Sequence, residues 1–185
     1  MTKGEKLSMA NQSQTTKTYL IEALERLLQK ESFDEISITE LTKVAGISRM
    51  TFYRHYQNIN DILVEAMQDL VTGLTAQLDF KTIVQHEGLV FMMQYLRSHA
   101  DFIKILVRAQ QQDMLRENIA RVLADMTAHK KHLKNLSARE MSYYVRYHST
   151  GLTSVVIDWV TKKQPETAEE LATFLEKIGE GGSSN

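Results

Sequence analysis

The residues that most constrain the fold of this chain lie between Ser37 and Tyr56, where two short helical patterns flank one glycine. Ser37 and Glu40 have the spacing of a capping box, which predicts that a helix begins here. Gly46 ends that helix, because glycine adopts the left-handed conformation found after many helices at little steric cost. Ser48 is a ready N-cap for the second helix. Helix, glycine turn and helix within this length are typical of a helix-turn-helix.

The second predicted helix, 49–56, has two chemically different faces. Phe52 and Tyr56 are four residues apart, so one face points into a core. The remaining positions carry guanidinium, hydroxyl, phenol and imidazole groups, which donate hydrogen bonds to phosphates and base edges. An ordinary amphipathic surface helix is the alternative interpretation.

The charge around these helices is unevenly distributed. No Asp or Glu occurs between Glu40 and Asp61, whereas Lys43, Arg49 and Arg54 do. Such a window suits a surface that faces a polyanion, because phosphates repel carboxylates. The whole chain has 22 Lys and Arg against 23 Asp and Glu, a net charge of -1. Any contact with nucleic acid is therefore expected to be local.

The pattern Ala-Gly-Ile-Ser-x-x-Thr-Phe-Tyr-x-His-Tyr at 45–56 resembles the signature of the TetR family of transcriptional regulators. The segment 143–159, which begins Tyr-Tyr-Val-Arg-Tyr-His-Ser-Thr-Gly-Leu, resembles a C-terminal domain of TetR-like regulators from Gram-positive bacteria, including the dihydroxyacetone kinase operon type. The resemblance implies an all-α fold with an N-terminal three-helix helix-turn-helix DNA-binding domain and a C-terminal helical domain for ligand binding and dimerisation. Met50 and Ile59 depart from the family, which often has a small residue and a phosphate-contacting Lys there.

The predicted DNA contacts fall into two groups. Phosphates are expected to be held by Ser37, Thr39, Ser48, Tyr53 and His55. Bases are expected to be contacted by Arg49, Met50, Thr51 and Arg54, with Arg favouring guanine and Met touching a thymine methyl. Lys17 lies near the start of the first helix, where family members often touch phosphate. A solvated lysine is the alternative there.

The composition bears on the cellular location of the protein. It has no Cys, which excludes disulfides and thiolate metal sites and fits a reducing cytoplasm. No uninterrupted apolar run approaches the ~18 residues of a membrane span. The N-terminus lacks the apolar core of a signal peptide. A cytoplasmic protein is expected.

Periodicity and caps divide the chain of 185 residues. A disordered arm is predicted over 1–13, the helix-turn-helix domain over 14–60, the regulatory and dimerisation domain over 61–178, and a flexible tail over 179–185. Apolar spacing predicts helices over 15–29, 58–79, 83–97, 101–107, 113–133, 137–159 and 167–178. In the resembled family the fourth helix joins the two domains.

The C-terminal half suggests an effector pocket and a dimer interface. Methionine and aromatic side chains adapt to small apolar ligands, although such residues also form plain core. The candidate effector-lining residues are Phe91, Met92, Tyr95, Phe102, Met114, Tyr143, Tyr144 and Tyr147. The resemblance implies that the last two helices pair with those of a second subunit, and closure of the chain's own core is the alternative. The candidate interface residues are Tyr144, His148, Gly151, Leu152, Val155, Trp159, Leu171, Phe174 and Leu175.

Catalysis and metal binding find little support. His129 and His132 are three apart, but lysines surround them and no nearby carboxylate completes a site. No phosphate-binding glycine loop, nucleophile elbow or metalloprotease helix occurs, so neither an enzyme nor a cofactor is expected. The predicted function is a ligand-responsive repressor that binds a palindromic operator as a dimer. The alternative is an activator or co-regulator acting mainly through a protein partner.

Overall fold

The computed structural model describes residues 3–78, 86–127, 133, 135–162 and 165–180, with side chains from residue 14 to residue 178. These residues form helices and no strand, which confirms the predicted all-α fold. A short 3₁₀ helix, Phe33–Glu35, lies between the first two. The helices are α1 (Lys3–Leu27), α2 (Ile38–Ala45), α3 (Arg49–His55), α4 (Ile59–Gln77), α5 (His86–Ser98), α6 (Ala100–Arg108), α7 (Gln112–Thr127), α8 (Ala138–Thr161) and α9 (Ala168–Glu180).

The described chain forms two compact units. The first comprises the described residues through Gln68 together with Arg108–Gln110, and the second comprises the others. Helix α4 contributes to both, since its residues from Asp69 onward belong to the second unit. The buried residues Ile62, Leu63 and Met67 of α4 belong to the first unit, and the domain boundary at residue 60 stays a prediction.

The first unit is held together by apolar side chains from each of its helices. Helix α1 packs against α2, and α2 contacts α3. The fully buried members are Leu20 and Leu24 on α1, Leu41 on α2, Phe52 on α3, and Ile62 and Leu63 on α4. Removing this apolar surface from water is the main force that stabilises the unit. It also fixes which face of α3 remains outside.

The N-terminal arm differs from the prediction of disorder over 1–13. Helix α1 begins at Lys3 rather than at Thr15. Seven of the residues 3–13 are Lys, Glu, Leu, Met, Ala or Gln, which are good helix formers, against the weaker formers Gly4, Ser8, Asn11 and Ser13. The prediction relied on apolar periodicity, which this segment lacks, whereas intrinsic propensity favours extending the helix.

The turn between α2 and α3 has the predicted glycine geometry. Gly46 is left-handed at φ 70°, and its N–H bonds to the Lys43 carbonyl. The Ile47 N–H donates to the Thr42 carbonyl at 3.0 Å. Together these bonds form a Schellman motif, which satisfies carbonyls that the end of α2 leaves unpaired.

At the start of α2 only one of the two hydrogen bonds of the predicted capping box is formed. The Ser37 hydroxyl accepts a hydrogen bond from the Glu40 N–H at 3.2 Å. In the described structure of this turn, the Glu40 carboxylate does not return the bond to Ser37. It lies instead near Glu31, whose pKa is raised by burial first and then by the Glu40 charge. The spacing of Ser37 and Glu40, from which the capping box was predicted, does not reveal that Glu31 lies beside Glu40.

The second unit contains two complete capping boxes at the predicted positions. Ser137 and Glu140 exchange bonds at the start of α8, and the Thr167 N–H donates to the Glu170 carboxylate at 2.7 Å. Helix α5 packs against α9, and α7 packs against α8. Helix α9 continues to Glu180, so the predicted tail begins later than residue 179. The rest of that tail, with residues 128–132 and 83–85 of the predicted helices, lies outside the described residues.

His86 ties the start of α5 to α9. Its Nε2 lies 2.8 Å from a Glu169 oxygen, and its Nδ1 lies 2.9 Å from a Glu176 oxygen. The hydrogen bond to Glu169 raises the pKa of His86 most, and the bond to Glu176 raises it further. Local sequence patterns do not predict this contact, because both glutamates lie more than 80 residues further along the chain.

Replacing Gly46 with Ala should destabilise the protein by about 1 kcal/mol, since a Cβ costs this much in the left-handed region. A Cβ at this position would meet no neighbouring atom, so backbone strain is the only penalty. Gly46→Asn should lose less, because Asn tolerates this conformation better. Urea unfolding followed by circular dichroism measures both variants. Equal losses for Ala and Asn would contradict the strain argument.

Replacing His86 with Asn should remove a pH-dependent part of the stability. A raised pKa in the folded state means that protonated His86 stabilises the fold below its unfolded pKa of about 6.5. That contribution is lost as the pH rises through the folded pKa. The difference in thermal midpoint between wild type and His86→Asn should therefore be largest at acidic pH and shrink at alkaline pH. A constant difference across this range would contradict the linkage.

Candidate nucleic-acid interface

The first unit exposes one surface formed by the start of α2, the Gly46 turn and α3, here called the α2–α3 surface. Thr51 is half-buried in it, and Phe52 is fully buried behind it. Met50 is 76% exposed and Tyr53 is 51% exposed. The predicted contacts that are exposed here are Ser37, Thr39, Ser48, Arg49, Met50, Tyr53, Arg54 and His55. The two predicted faces of α3 are therefore separated as expected.

Aromatic contacts order part of the α2–α3 surface. The Arg49 guanidinium carbon lies 5.9 Å from the centre of the Tyr53 ring, within the range of a cation–π contact. The Tyr53 ring meets Phe52 edge-on at 5.5 Å. These contacts restrict the exposed arginine and tyrosine, which lowers the entropy lost when they bind a ligand.

Two predicted phosphate contacts also have a structural role. The Ser48 hydroxyl accepts from the Thr51 N–H at 3.0 Å and lies 2.9 Å from the Thr51 hydroxyl. Ser37 caps α2 in the same way. A hydroxyl that accepts a bond keeps its own proton for donation. Mutation of either serine therefore changes helix stability as well as any contact to a ligand.

Asp61, the first acid after the carboxylate-free segment 41–60, is engaged in local hydrogen bonds. Asp61 accepts hydrogen bonds from the Gln57 and Asn58 N–H groups at 2.8 and 3.0 Å. Its charge thus caps the start of α4, where helices favour anions. Ile59, the position where relatives often carry a lysine, is buried in the core. It cannot supply a phosphate contact from this position.

Lys17 does not fit either interpretation drawn from the sequence. The residue is only 5% exposed, and its ammonium lies 3.1 Å from the Glu65 carboxylate. The Tyr56 hydroxyl donates to the other oxygen of Glu65 at 2.6 Å. Lys17 is therefore neither a solvated lysine nor part of the α2–α3 surface, because an ammonium that leaves water needs a paired anion.

Sequence reasoning missed Glu65 and the polar role of Tyr56. The available signal was the position of Lys17, which lies three and seven residues before Leu20 and Leu24 on the apolar stripe of α1. A cation in a core-facing register requires a partner of opposite charge. That rule predicts an acid nearby but does not say which acid.

The predicted effector residues are not gathered around one cavity in the described second unit. Tyr143 and Tyr147 are 63% and 77% exposed on α8, and Met92 is buried in the core. The Tyr95 hydroxyl donates to the Leu70 carbonyl at 3.0 Å, and its ring stacks on His99. The sequence supplied suitable residue types, but helix packing directs them to different places.

An open cleft of about 370 Å³ lies between α7 and α8 instead. Eight of its nine lining residues are polar or charged, although their apolar atoms form more of the cleft surface than their polar atoms do, and none of them is a predicted effector residue. Arg116 contributes a guanidinium already bonded to Asp113 at 3.0 Å, and Asp158 is paired with Lys162 at 2.7 Å. The lining residues are Gln112, Asp113, Arg116, Thr150, Thr153, Ser154, Ile157, Asp158 and Thr161.

The predicted interface residues divide into exposed and buried groups. Trp159 and Leu171 are buried within the chain, and the Trp159 indole donates to the Glu166 carbonyl at 3.1 Å. One chain alone therefore covers these two residues, and their place in a dimer interface stays a prediction. The members left at least partly exposed are Tyr144, His148, Gly151, Leu152, Val155, Phe174 and Leu175.

The described residues contain neither a metal-binding cluster nor a membrane-spanning helix. Within the described residues, no group of three His, Cys, Asp or Glu side chains is arranged to hold a metal ion. His129 and His132 lie outside the described residues. None of the helices in the described part of the chain has the length and apolarity that crossing a bilayer requires.

Sequence comparison matches two regions of the chain. Residues 20–66 match the family described as bacterial regulatory proteins, tetR family. Residues 85–181 match a transcriptional regulator C-terminal region of the same family, which covers over half of the chain. No individual curated protein is significantly similar in sequence.

Several solved structures share the fold. A TetR transcriptional regulator from Streptococcus agalactiae is 20% identical over 94% of this chain and 98% of its own, with a TM-score of 0.64. The fatty acid degradation regulator FadR from Bacillus halodurans is 16% identical over 92% and 97%, with a TM-score of 0.63. The dihydroxyacetone kinase operon activator DhaS is 18% identical over 88% and 93%, with a TM-score of 0.60.

The α2–α3 surface and these matches define a DNA-binding protein of the helix-turn-helix class. The chain belongs to the TetR family of transcriptional regulators, as its sequence signature predicted. It is a transcription factor and not an enzyme. Which residues contact DNA stays a prediction.

Proposed function

We propose that this regulator is a cytoplasmic homodimer that represses transcription from a palindromic operator and is released by a small-molecule effector. The observation that carries the proposal is the α2–α3 surface, where Arg49 and Arg54 are exposed together and the segment 41–60 contains no carboxylate. A chain with a net charge of -1 gains affinity for DNA only where its cations are concentrated. Here they are concentrated on a helix-turn-helix.

On DNA, α3 would occupy the major groove. Two copies would contact half-sites about 34–36 Å apart if the spacing is one helical turn. Arg49, Met50, Thr51 and Arg54 would contact bases, and the exposed hydroxyl and imidazole groups would hold phosphates. The 76% exposure of Met50 leaves its thioether chain able to contact a thymine methyl.

The dimer would form through α8 and α9. On α8, Tyr144, His148, Leu152 and Val155 follow one another at intervals of four, four and three residues, which places them on one stripe of a helix. On α9, Phe174 remains 51% exposed although it is aromatic. Apolar groups left in water in this arrangement favour association with an equivalent surface of a second copy.

The effector would occupy the α7–α8 cleft. Hydroxyl groups of Thr150, Ser154 and Thr161, with the charges of Arg116 and Asp158, line it. This lining favours a polar ligand that both donates and accepts hydrogen bonds. Binding would regulate by selecting the conformation in which the two DNA-binding heads are wrongly spaced.

A second candidate is an activator that works through a protein partner. One structural neighbour is named an activator, and Tyr143 and Tyr147 form an exposed aromatic pair on α8. Exposed tyrosines are common in protein interfaces. Transcript levels from the adjacent promoter after deletion of the gene separate the candidates, since they rise for a repressor and fall for an activator.

Arg54→Ala should reduce binding to the preferred duplex by roughly tenfold to a hundredfold and relax preference at one base pair, as loss of a bidentate guanine contact predicts. Thr39→Ala should weaken binding to all duplexes alike, since a phosphate contact carries no sequence information. Thr39 is the better phosphate probe, because Ser37 caps α2. Selection from a random duplex pool, followed by titration at several salt concentrations, measures both effects.

Wild-type binding should weaken steeply with salt, because cations released from phosphates dominate affinity. Lys104→Ala serves as a matched control, since Lys104 lies on α6 in the second unit and pairs with Asp101. It should bind as wild type does. Wild-type protein that ignores every duplex at low salt would contradict the proposed function, and unchanged preference in Arg54→Ala would contradict the assigned role.

Phe174→Glu should convert the dimer to monomers. Burying a phenyl ring contributes about 1.5–3 kcal/mol, and a two-fold interface contains the residue twice, so dimer dissociation should rise by at least about a hundredfold. Sedimentation velocity at micromolar protein measures the change. Tyr147→Ser is the control, because this exposed aromatic lies outside the proposed interface. A dimeric Phe174→Glu protein, or a monomeric wild type, would contradict this assembly.

A further inference from the structure

One carboxylate in the first unit connects three parts of the helix-turn-helix domain. Glu65, on α4, accepts the Tyr56 hydroxyl on one oxygen at 2.6 Å. Its other oxygen pairs with the Lys17 ammonium of α1 at 3.1 Å. Tyr56 and Lys17 are 4% and 5% exposed. We call Lys17, Glu65 and Tyr56 the polar triad.

The polar triad is costly to disturb. A phenol that donates to a carboxylate makes a short, charge-assisted hydrogen bond, stronger than a neutral one. An ammonium removed from water requires its counter-charge, so Lys17 holds Glu65 from the opposite side. Glu65 is therefore fixed by contacts on both of its oxygens, and it fixes Tyr56 in turn.

Tyr56 is the residue at which α3 ends. Its N–H donates to the Phe52 carbonyl at 2.9 Å, and its ring lies 5.7 Å from the Phe52 ring. Helix α3 extends only from Arg49 to His55. A helix this short is not stable alone and takes its orientation from its tertiary contacts. The Gly46 turn and the Ser48 cap hold its beginning, and the polar triad holds its end.

We infer that Glu65 is a positioning residue for sequence discrimination. Through Tyr56 it sets the angle at which α3 presents Arg49, Met50 and Arg54, although neither Glu65 nor Tyr56 belongs to the α2–α3 surface. A bidentate contact to a base depends on placement to within a fraction of an ångström, whereas a phosphate contact tolerates more. Loss of the triad should therefore impair recognition of the preferred sequence more than general affinity. The inference rests on the proposed DNA-binding role of α3.

Tyr56→Phe is the principal test, since it removes one hydroxyl and keeps the ring packed on Phe52. The full chain is titrated by fluorescence anisotropy against its selected duplex and a scrambled duplex of equal composition. The preference for the selected duplex should fall about tenfold, as expected for a lost charge-assisted bond. Affinity for the scrambled duplex should change less than about twofold. Glu65→Gln should act in the same direction.

Ile62→Val is the matched control. Ile62 is fully buried on the same helix, so the variant loses stability through packing without touching the triad. Its preference for the selected duplex should equal that of wild type. In the double variant Tyr56→Phe/Glu65→Gln, the loss of preference should be smaller than the sum of the two single losses, because both changes weaken the same charge-assisted bond. Wild-type preference in Tyr56→Phe, or equal losses in Ile62→Val, would overturn the inference.

Amide hydrogen exchange separates this inference from the proposed function. Tyr56→Phe should accelerate exchange in α3 more than Ile62→Val does, whatever the protein binds. If the wild-type protein preferred no duplex, the proposed function would fail. The exchange rates of α3 would then still test whether the polar triad positions this helix. Equal acceleration of α3 in the two variants would overturn the positioning role.

Discussion

The left-handed turn at Gly46 is the constraint on which the rest of the first unit depends. It ends α2 and lets the last carbonyls of that helix accept hydrogen bonds. It also places Ser48 where its side chain caps α3. With that geometry set, burial of Phe52 leaves the opposite face of α3 in solvent. The α2–α3 surface is thus a consequence of one backbone conformation and one buried ring.

The distribution of charge suits this surface to a polyanion such as DNA. The chain is nearly neutral overall, so a diffuse electrostatic attraction to phosphates is absent. The acids nearest the surface in sequence are engaged elsewhere, since Asp61 caps α4 and Glu40 lies near Glu31. The segment 41–60, which includes α3, therefore presents its arginines without a carboxylate of its own.

Much of the fold could be predicted because its signals are local. Helix type, the Gly46 turn and the boxes at Ser137 and Thr167 depend on residues at most a few positions apart. The failures share a different cause. Lys17 and Glu65 are in contact although 48 residues separate them in the sequence. His86 likewise contacts two glutamates of α9. A single sequence shows that such groups need partners but not which ones.

The same distinction explains the candidate effector and interface residues. Methionines and aromatic residues indicated an apolar pocket, but packing exposed Tyr147, buried Met92 and left a cleft lined by other residues between α7 and α8. Trp159 and Leu171 match the stripe of an interface, yet they close the chain's own core. Apolar periodicity identifies the face of a helix that avoids water, and it does not tell which surface covers that face.

The most direct test of the account is to map where α3 lies on DNA. Because the chain contains no Cys, Met50→Cys creates a single attachment point for an iron chelate that cleaves nearby deoxyribose. With the selected duplex, strand cleavage should occur in two clusters about one helical turn apart, and Tyr147→Cys on α8 should give none. Cleavage that is uniform along the duplex, or equal from both positions, would contradict the claim that the α2–α3 surface contacts DNA twice per dimer.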